Sequence, residues 1–477
     1  MAGTSSTLEL RAALIEIVGE KGCLFEPADT APFCEDYRQL FKGRVQAVVR
    51  PATTDEVARV VRLCAERRIG IVPQGGNTGM VGGAVPSEDG SQIVLSLSRL
   101  NRIRDIDPVD LTMTIDAGVV LKKAQEAVLA ENCMLPISLS SEGSAQIGGV
   151  LSANAGGNNT VRYGNARDLV LGLEVVLPNG DVWNGLRRLR KDNTGYCLRQ
   201  LFVGAEGTLG IITAAVLKLV LRPRELAVAF CAVPSAQAAL DLFVLCRQHH
   251  HEAIQAFEYM SGAGLRIVLK HIADTRLPLE TPADHYALVE LADVAADANL
   301  REKLEETLGR AMDAGLVLDA VLAGSSAERL ALWNLREEHS EAQKRAGANV
   351  RNDVTVPVSK VPQFIVEATE ACQRRFPGIR VVSFGHMGDG NIHFNGVQPE
   401  GGSGPDFLRQ SHDITDTINA VVRKYDGSFS AEHGVGRLKP YLLKAWRGGA
   451  ELETMRRIKA ALDPLGIMNP GKVLPPQ

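Results

Sequence analysis

The chain has 477 residues, 45% hydrophobic and 23% charged, with a formal net charge of −4, a balance that fits a globular enzyme of two or three domains. It offers no bulk electrostatic reason to bind nucleic acid. The eight cysteines (Cys23, Cys34, Cys64, Cys133, Cys197, Cys231, Cys246 and Cys372) contain no C-x-x-C pair and no iron–sulfur spacing, which points to reduced thiols in a cytosolic protein.

The amino-terminal MAGTSSTLELRAALIEIVGE lacks the basic start and apolar run of a signal peptide and predicts a short amphipathic helix. No apolar run reaches the ~18 residues of a membrane span. The expected location is therefore cytoplasmic, with peripheral membrane contact left open. To about residue 220 the runs RVQAVVRP, IGIVPQGG, QIVLSL, TMTIDAGVV, LVLGLEVVLPNGDVW and LGIITAAVLKLVL predict strands between glycine loops. TTDEVARVVRLCAERR predicts a helix behind capping threonines, and Asn179-Gly180 predicts a hairpin turn. From about residue 224 strands and helices alternate: AVAFCAVP, SAQAALDLFVLCRQHH, EAIQAFEYM, HYALVELA and NLREKLEETLGRAMDAG. ALWNLREEHSEAQKRAGA predicts one further polar helix, and this half is expected to be an α+β sheet domain.

Two loops, PQGGNTGMVGGAVP and EGSAQIGGVLSANAGGNN, are dense in glycine. Glycine lets backbone N–H groups approach an anion closely, so such loops can form phosphate nests. A turn is the simpler account of one such loop, but two in one domain favour a diphosphate ligand. Neither G-x-x-x-x-G-K-[ST] nor G-x-G-x-x-G occurs, which excludes a P-loop and an ordinary Rossmann fingerprint.

These loops, followed by RYG, VLGLEVVLPNG, RKDNTGYCLRQLFVGAEGTLGIIT and NPGK, resemble the FAD domain of the vanillyl-alcohol oxidase type of flavoproteins. Within that superfamily the chain resembles the FAD-dependent D-2-hydroxyacid dehydrogenases, the D-2-hydroxyglutarate dehydrogenases most of all. The resemblance implies an α+β fold: an FAD-binding domain of two subdomains over residues 1–223, a substrate-binding cap domain with an antiparallel sheet over 224–428, and a C-terminal segment, 429–477, returning to the FAD domain. It implies that Gln74, Gly75, Gly76, Asn77, Thr78, Gly79 and Met80 hold the FAD diphosphate, with Pro73 also at the cofactor. Around the rest of the cofactor it places Pro136, Gly143, Ser144, Ile147, Gly148, Gly149, Asn154, Gly156, Gly157 and Tyr163. Glu206, Gly207, Gly210, Ile212 and Asn469 complete the set. The first histidine of the chain is His249, so attachment through a histidine of the FAD domain is ruled out and non-covalent FAD is expected.

FGHMGDGNIHFN reads as a hairpin turning at Gly388-Asp389-Gly390-Asn391, which pairs 386 with 393 and sets two imidazoles on one face, with Asn395 on the same side. Two histidines beside a turn are common without a metal, and Asp389 is a turn residue. Glu432-His433 supplies an acid and a third imidazole, a set that suits Zn²⁺, with Mn²⁺ or Fe²⁺ as alternatives. The residues alone leave open which of the two is ligand and which is base. The resemblance implies His386, His393 and Glu432 as ligands and His433 as general base.

Arg336 and Ser340, four apart, share a face of a predicted helix, where a surface ion pair is the plain account. The resemblance implies that Arg336, Ser340 and Arg351 bind substrate carboxylate, with Asn395 and His433 completing the substrate site. Arg351 stands where the family usually has lysine, which keeps the charge and changes its geometry. His249, His250 and His251 predict a solvated helix end, and His339 is expected to be solvated too.

The expected reaction is FAD-dependent, metal-assisted oxidation of a D-2-hydroxy acid to the 2-oxo acid, with D-2-hydroxyglutarate leading and D-lactate or glycolate following. Electron transfer flavoprotein or a quinone is the expected acceptor, and a homodimer is compatible with the sequence. A flavin-free metallohydrolase could use the same histidines and glutamate but leaves the paired glycine loops unexplained.

Overall fold

In the computed structural model, which describes residues 2–476, the β-rich runs of the first half form two main sheets and a short antiparallel pair, Cys133–Met134 with Val220–Leu221. Met1 and Gln477, the outer ends of the first and last expected segments, lie outside the described residues. Strands Cys23–Leu24, Ala47–Val49, Ile93–Ser96 and Ile71–Gln74 lie side by side in that order, the last three parallel. The parallel pairing needs a crossover, which helix Thr54–Arg67 supplies. Its N-cap is Thr53, whose side chain accepts the Glu56 amide at 3.1 Å. An antiparallel five-stranded sheet follows, ordered Ile103–Asp107, Thr112–Asp116, Ile211–Lys218, Val170–Val176 and Val182–Gly185, with Asn179-Gly180 in the turn between the last two. The carboxy-terminal segment returns to the four-stranded sheet, where the Ile71 amide donates to Ile467 and the Asn469 amide to Ile71, both at 2.8 Å.

Two units divide the chain. The first contains Met1–Gly156, Asn165–Arg222 and Glu432–Gln477, and the second Gly157–Gly164 and Pro223–Ala431. Gly157 and Tyr163 were expected among the cofactor loops, yet their segment belongs to the second unit. The reason is local: the Arg162 guanidinium donates to the Ala292 carbonyl at 2.7 Å, and Val161 packs on Gly388 so closely that an added Cβ there would come within 2.7 Å of it.

The second unit is built on an eight-stranded antiparallel sheet. Its order is Asp319–Leu322, Glu225–Val233, His285–Asp293, Ile254–Ser261, Arg380–His386, Asn391–Val397 and Asn349–Val350, with Asp353–Thr355 also on Asn391–Val397. One face carries a core of Val228, Phe230, Met260, Leu265, Leu288, Leu332, Trp333 and Phe384. The expected single helix around Trp333 is two helices, Ser326–Glu337 and His339–Ala346, joined at Glu338. Arg336 and Ser340 therefore lie on different helices.

Candidate active site

In the first unit the glycine loops close on one another. An added Cβ at Gly76 would sit 1.9 Å from the Ser144 carbonyl oxygen, so only glycine lets the two backbones touch there. Gly75 faces Gln146, and Gly207 lies against Pro73. On the same loops, Gly79, Gly143 and Gly149 have nothing within 4 Å of an added Cβ. Glycine at these positions leaves room for a ligand to approach the backbone.

Several expected cofactor residues hold this scaffold together. The buried Gln74 amide donates to the carbonyls of Phe33 (2.9 Å) and Ala84 (2.8 Å), tying the base of its loop. Asn77 donates to Glu35, and Asn154 accepts the Arg167 amide. Glu206 accepts the amides of Val435 and Gly436 at 2.7 and 2.8 Å, and Asn469 donates to the carbonyls of Gly83 and Glu206. Burial pushes the Glu206 carboxyl above its usual range, against the two amides that favour its ionised form. Asn77, Asn154, Glu206 and Asn469 all take left-handed φ, 53°, 51°, 51° and 42°, and such strained backbone collects at ligand-holding loops. The buried oxygens Gln146 Oε1 and Asn469 Oδ1 find no protein partner. The glycine cradle suits the phosphates of a cofactor such as FAD, and these two acceptor oxygens suit its N–H or O–H donors. Ile147, Gly148, Gly210 and Ile212 are packed tightly: Gly148 lies on Ala117, Gly210 lies between Val175 and Phe202, and both isoleucines are buried. Pro136, Ser144, Thr78, Met80 and Gly156 lie on the connecting loops.

In the second unit the hairpin departs from its expected register. His386 pairs with Asn391, and Phe384 pairs with His393. The connection is the four residues 387–390, closed by the Asp389 and Gly390 amides, which both reach the His386 carbonyl at 3.2 Å. Gly390, at φ 87°, lies so close to the Val356 carbonyl oxygen that an added Cβ would approach it to 2.2 Å. A two-residue shift keeps both histidines on one face, as a one-residue shift would not. They are diagonal neighbours, their ring centroids 5.9 Å apart.

Each imidazole faces an acid on the adjoining strand. Glu258 is the cross-strand partner of His386, and Asp353 that of His393. Glu258 Oε1 lies 2.6 Å from His386 Nδ1, and Oε2 accepts Arg336 Nε at 2.5 Å. Burial alone would raise the Glu258 pKa, but Arg336 and His386 outweigh it and hold the carboxyl down at about 2. Arg336 is thus a buried partner of Glu258, where a surface pair was the plain expectation. Asp353 Oδ1 accepts Asn391 Nδ2 at 2.9 Å and lies 3.8 Å from His393 Nδ1; Oδ2 accepts the Ala431 amide at 3.1 Å. Ala431 is the last residue of this unit, and Glu432 and His433 follow it in the chain, with His433 Nε2 3.8 Å from Glu432 Oε1.

Arg351 donates from Nη2 to the Ser340 carbonyl at 3.1 Å and from Nε to Asn349, which brings two expected substrate residues together. Asn395 is buried, accepting the Asn352 amide and donating to Gln343, each at 3.0 Å. Asp389 accepts the Asn391 amide, as a turn residue does. His250 is half-buried against Thr307 Oγ1 at 2.8 Å, so only His249 and His251 match the expected solvated helix end.

His339 is fully buried rather than solvated. Its ring stacks on Phe384 at 4.6 Å, and neither nitrogen has a hydrogen-bond partner. Phe384 also carries His393 at 5.0 Å and the Arg336 guanidinium at 4.9 Å. Burial, helped by the Arg336 charge, pushes the His339 pKa down from 6.5 to about 3. The unfolded chain then takes up a proton near pH 6.5 that the folded chain refuses until about pH 3. The neutral ring's contribution is complete above pH 6.5 and is lost as pH falls towards 3, at a limit of ~1.4 kcal/mol per pH unit. His339→Met should therefore flatten the acid limb of stability. Between pH 6.5 and 5 the parent should lose about 2 kcal/mol more than the variant in urea melts, and equal losses would refute this reading.

Residues 45–185 match the model of an FAD binding domain, and residues 222–473 match that of FAD linked oxidases, C-terminal domain. The chain is 38% identical over 446 residues to the mitochondrial D-2-hydroxyglutarate dehydrogenase of Danio rerio, covering 92% of this chain and 80% of that one. It is 36% identical over 450 residues to the D-2-hydroxyglutarate dehydrogenase of Xanthomonas citri pv. viticola, covering 94% and 93%. With the D-2-hydroxyglutarate–pyruvate transhydrogenase of Saccharomyces cerevisiae it shares 34% over 459 residues, covering 94% and 90%. Among solved structures, substrate-bound p-cresol methylhydroxylase superposes with a TM-score of 0.76 over 98% of this chain and 96% of that one, at 17% identity, a likeness of fold alone. No helix among the described residues is long and apolar enough to cross a membrane. The chain belongs to the FAD-linked oxidase family, has the α+β architecture of a two-domain FAD oxidase, and counts D-2-hydroxyglutarate dehydrogenases among its relatives.

Proposed function

We propose that this protein oxidises a D-2-hydroxy acid to the 2-oxo acid, with D-2-hydroxyglutarate preferred to D-malate and D-lactate. The observation that carries the reading is the buried chain Arg336–Glu258–His386, which joins a buried guanidinium to one of two facing imidazoles. The names of the relatives point to the same substrate.

His386, His393 and Glu432 would supply a nitrogen and oxygen donor set that suits Zn²⁺, and Mn²⁺ or Fe²⁺ would accept the same ligands. Such a cation would lower the pKa of the substrate hydroxyl. Bound FAD, held by the glycine cradle of the first unit, supplies the acceptor for the two electrons of the C–H bond. His433 takes the hydroxyl proton, and Arg336 binds a substrate carboxylate through charge-assisted hydrogen bonds. Arg351 and Ser340 meet the second carboxylate, which is why a dicarboxylic acid leads.

Glu432 and His433 are one and two residues beyond Ala431, whose amide is fixed on Asp353, the cross-strand partner of His393. Successive Cα atoms are ~3.8 Å apart, so chain connectivity alone supports the recruitment of both residues to the histidine pair. The FAD binding domain match over residues 45–185 speaks against a flavin-free hydrolase. Electron transfer flavoprotein or a quinone as acceptor, a homodimer and a cytoplasmic location complete the proposal, although several relatives carry a mitochondrial designation.

The test is kcat/KM on D-2-hydroxyglutarate, D-malate and D-lactate. The dicarboxylates should lead by ~10-fold or more, the worth of one charge-assisted contact. If D-lactate is turned over best, the dicarboxylate reading fails.

A further inference from the structure

Glu258 stands in the middle of strand Ile254–Ser261, in which Ile254 to Met260 are all buried. A carboxylate in so apolar a strand is costly unless its charge is matched and its lone pairs are filled. Both conditions are met, and by two residues from different elements. Oε1 faces Nδ1 of His386 on the adjoining strand, and Oε2 accepts Nε of Arg336 from helix Ser326–Glu337.

The choice of atoms matters. A proton held on His386 Nδ1 by Glu258 leaves the imidazole lone pair on Nε2, and metal-ligating histidines are commonly fixed through the second nitrogen in this way. Arg336 spends only Nε on the carboxylate. Its two terminal nitrogens make no hydrogen bond within the protein among the described residues, while Phe384 supports the flat of the guanidinium at 4.9 Å. The fork is thus held at its base and offers its two tips, the geometry that meets a carboxylate side-on.

We propose that Glu258 is the positioning residue that sets both the metal ligand and the substrate clamp: one oxygen fixes the His386 tautomer with Nε2 as ligand atom, and the other aims the Arg336 tips at the substrate carboxylate. This rests on the oxidation of a 2-hydroxy acid proposed above. A buried ion pair that only stabilises the fold is the competing account.

Glu258→Gln separates them, because an amide keeps one acceptor oxygen and cannot satisfy both partners. In Zn²⁺ titrations of metal-stripped protein against a chromophoric chelator, Zn²⁺ affinity should fall by ~10–100-fold, the usual cost of losing a group that orients a metal ligand. KM for D-2-hydroxyglutarate should rise by ~10-fold or more in the same variant. Glu290→Gln is the control, since Glu290 is another buried glutamate, holding Gln255 and Trp333 at 2.7 Å each. It should lower Tm and leave both constants unchanged. A Glu258→Gln protein that loses Tm but keeps the parent's Zn²⁺ affinity and KM overturns the proposal.

His386→Ala distinguishes the two levels. If it binds Zn²⁺ like the parent, the metal reading itself fails. If it loses Zn²⁺ while Glu258→Gln does not, only the positioning role fails. Should Glu258→Gln not fold, ¹⁵N-histidine NMR of the metal-stripped parent, with His386 assigned by its loss in His386→Gln, decides the matter. A proton on Nδ1 is expected, and a proton on Nε2 alone overturns the proposal.

Discussion

His433→Gln is expected to lower kcat on D-2-hydroxyglutarate by ~10²–10⁴-fold, the range a positioned general base contributes, while FAD and metal contents stay at the parent level. Glutamine can still hydrogen-bond but cannot accept the hydroxyl proton at neutral pH. The loop behind His433 is well fixed, since Glu206 takes the amides of Val435 and Gly436. The substitution should therefore remove a proton acceptor and leave the backbone in place. KM should change little, because the lost interaction belongs to the transition state. Activity within ~3-fold of the parent would remove His433 from the role of base.

His393→Ala or Glu432→Ala should each abolish stoichiometric metal binding and reduce kcat/KM by ~10²–10⁴-fold. Several kcal/mol of charge stabilisation are at stake, and each ~1.4 kcal/mol is a factor of ten in rate. Elemental analysis of the purified variants reads the metal, and flavin reduction reads the activity. The two should fall together. Full activity in a metal-free protein would refute the ligand assignment. Asp353 adds a gradation: it sits 3.8 Å from His393 Nδ1 and anchors the Ala431 amide, so Asp353→Asn should weaken metal binding less than removal of His393.

The strands and helices that carry these residues were legible where periodicity and turn chemistry agreed. Helix Thr54–Arg67 behind its threonine cap and the Asn179-Gly180 hairpin fall where the sequence predicts them. The hairpin between His386 and His393 was legible in kind but not in register, because Gly388, Asp389, Gly390 and Asn391 are all good turn formers. The close approach of Gly390 to the Val356 carbonyl, a tertiary contact, selects 387–390 as the connection. Helix periodicity continues through ALWNLREEHSEAQ, so the break at Glu338 and the burial of His339 had no local signal. Stacking on Phe384 outweighs the polarity of the neighbouring charges.

Glu258 and Asp353 were missed although a signal was present. Glu258 lies inside a run that otherwise reads as a buried strand, IQAFEYM, and Asp353 opens the short run DVTV; an acid in such a place conflicts with its local pattern unless a partner or a function holds it there. The partners are two histidines more than thirty residues away, which no local spacing reveals. In the first unit the glycine density marked two loops whose backbones touch at Gly76 and Ser144. It could not separate glycines that let backbone pack on backbone, such as Gly76, from those that open onto space, such as Gly79.

Anaerobic mixing of the FAD-loaded protein with the two enantiomers of 2-hydroxyglutarate tests the central claim most directly. The D-enantiomer should bleach the flavin absorbance fully within the turnover time, and the L-enantiomer should leave it unchanged. Bleaching by the L-enantiomer at an equal rate, or by neither, would contradict the account.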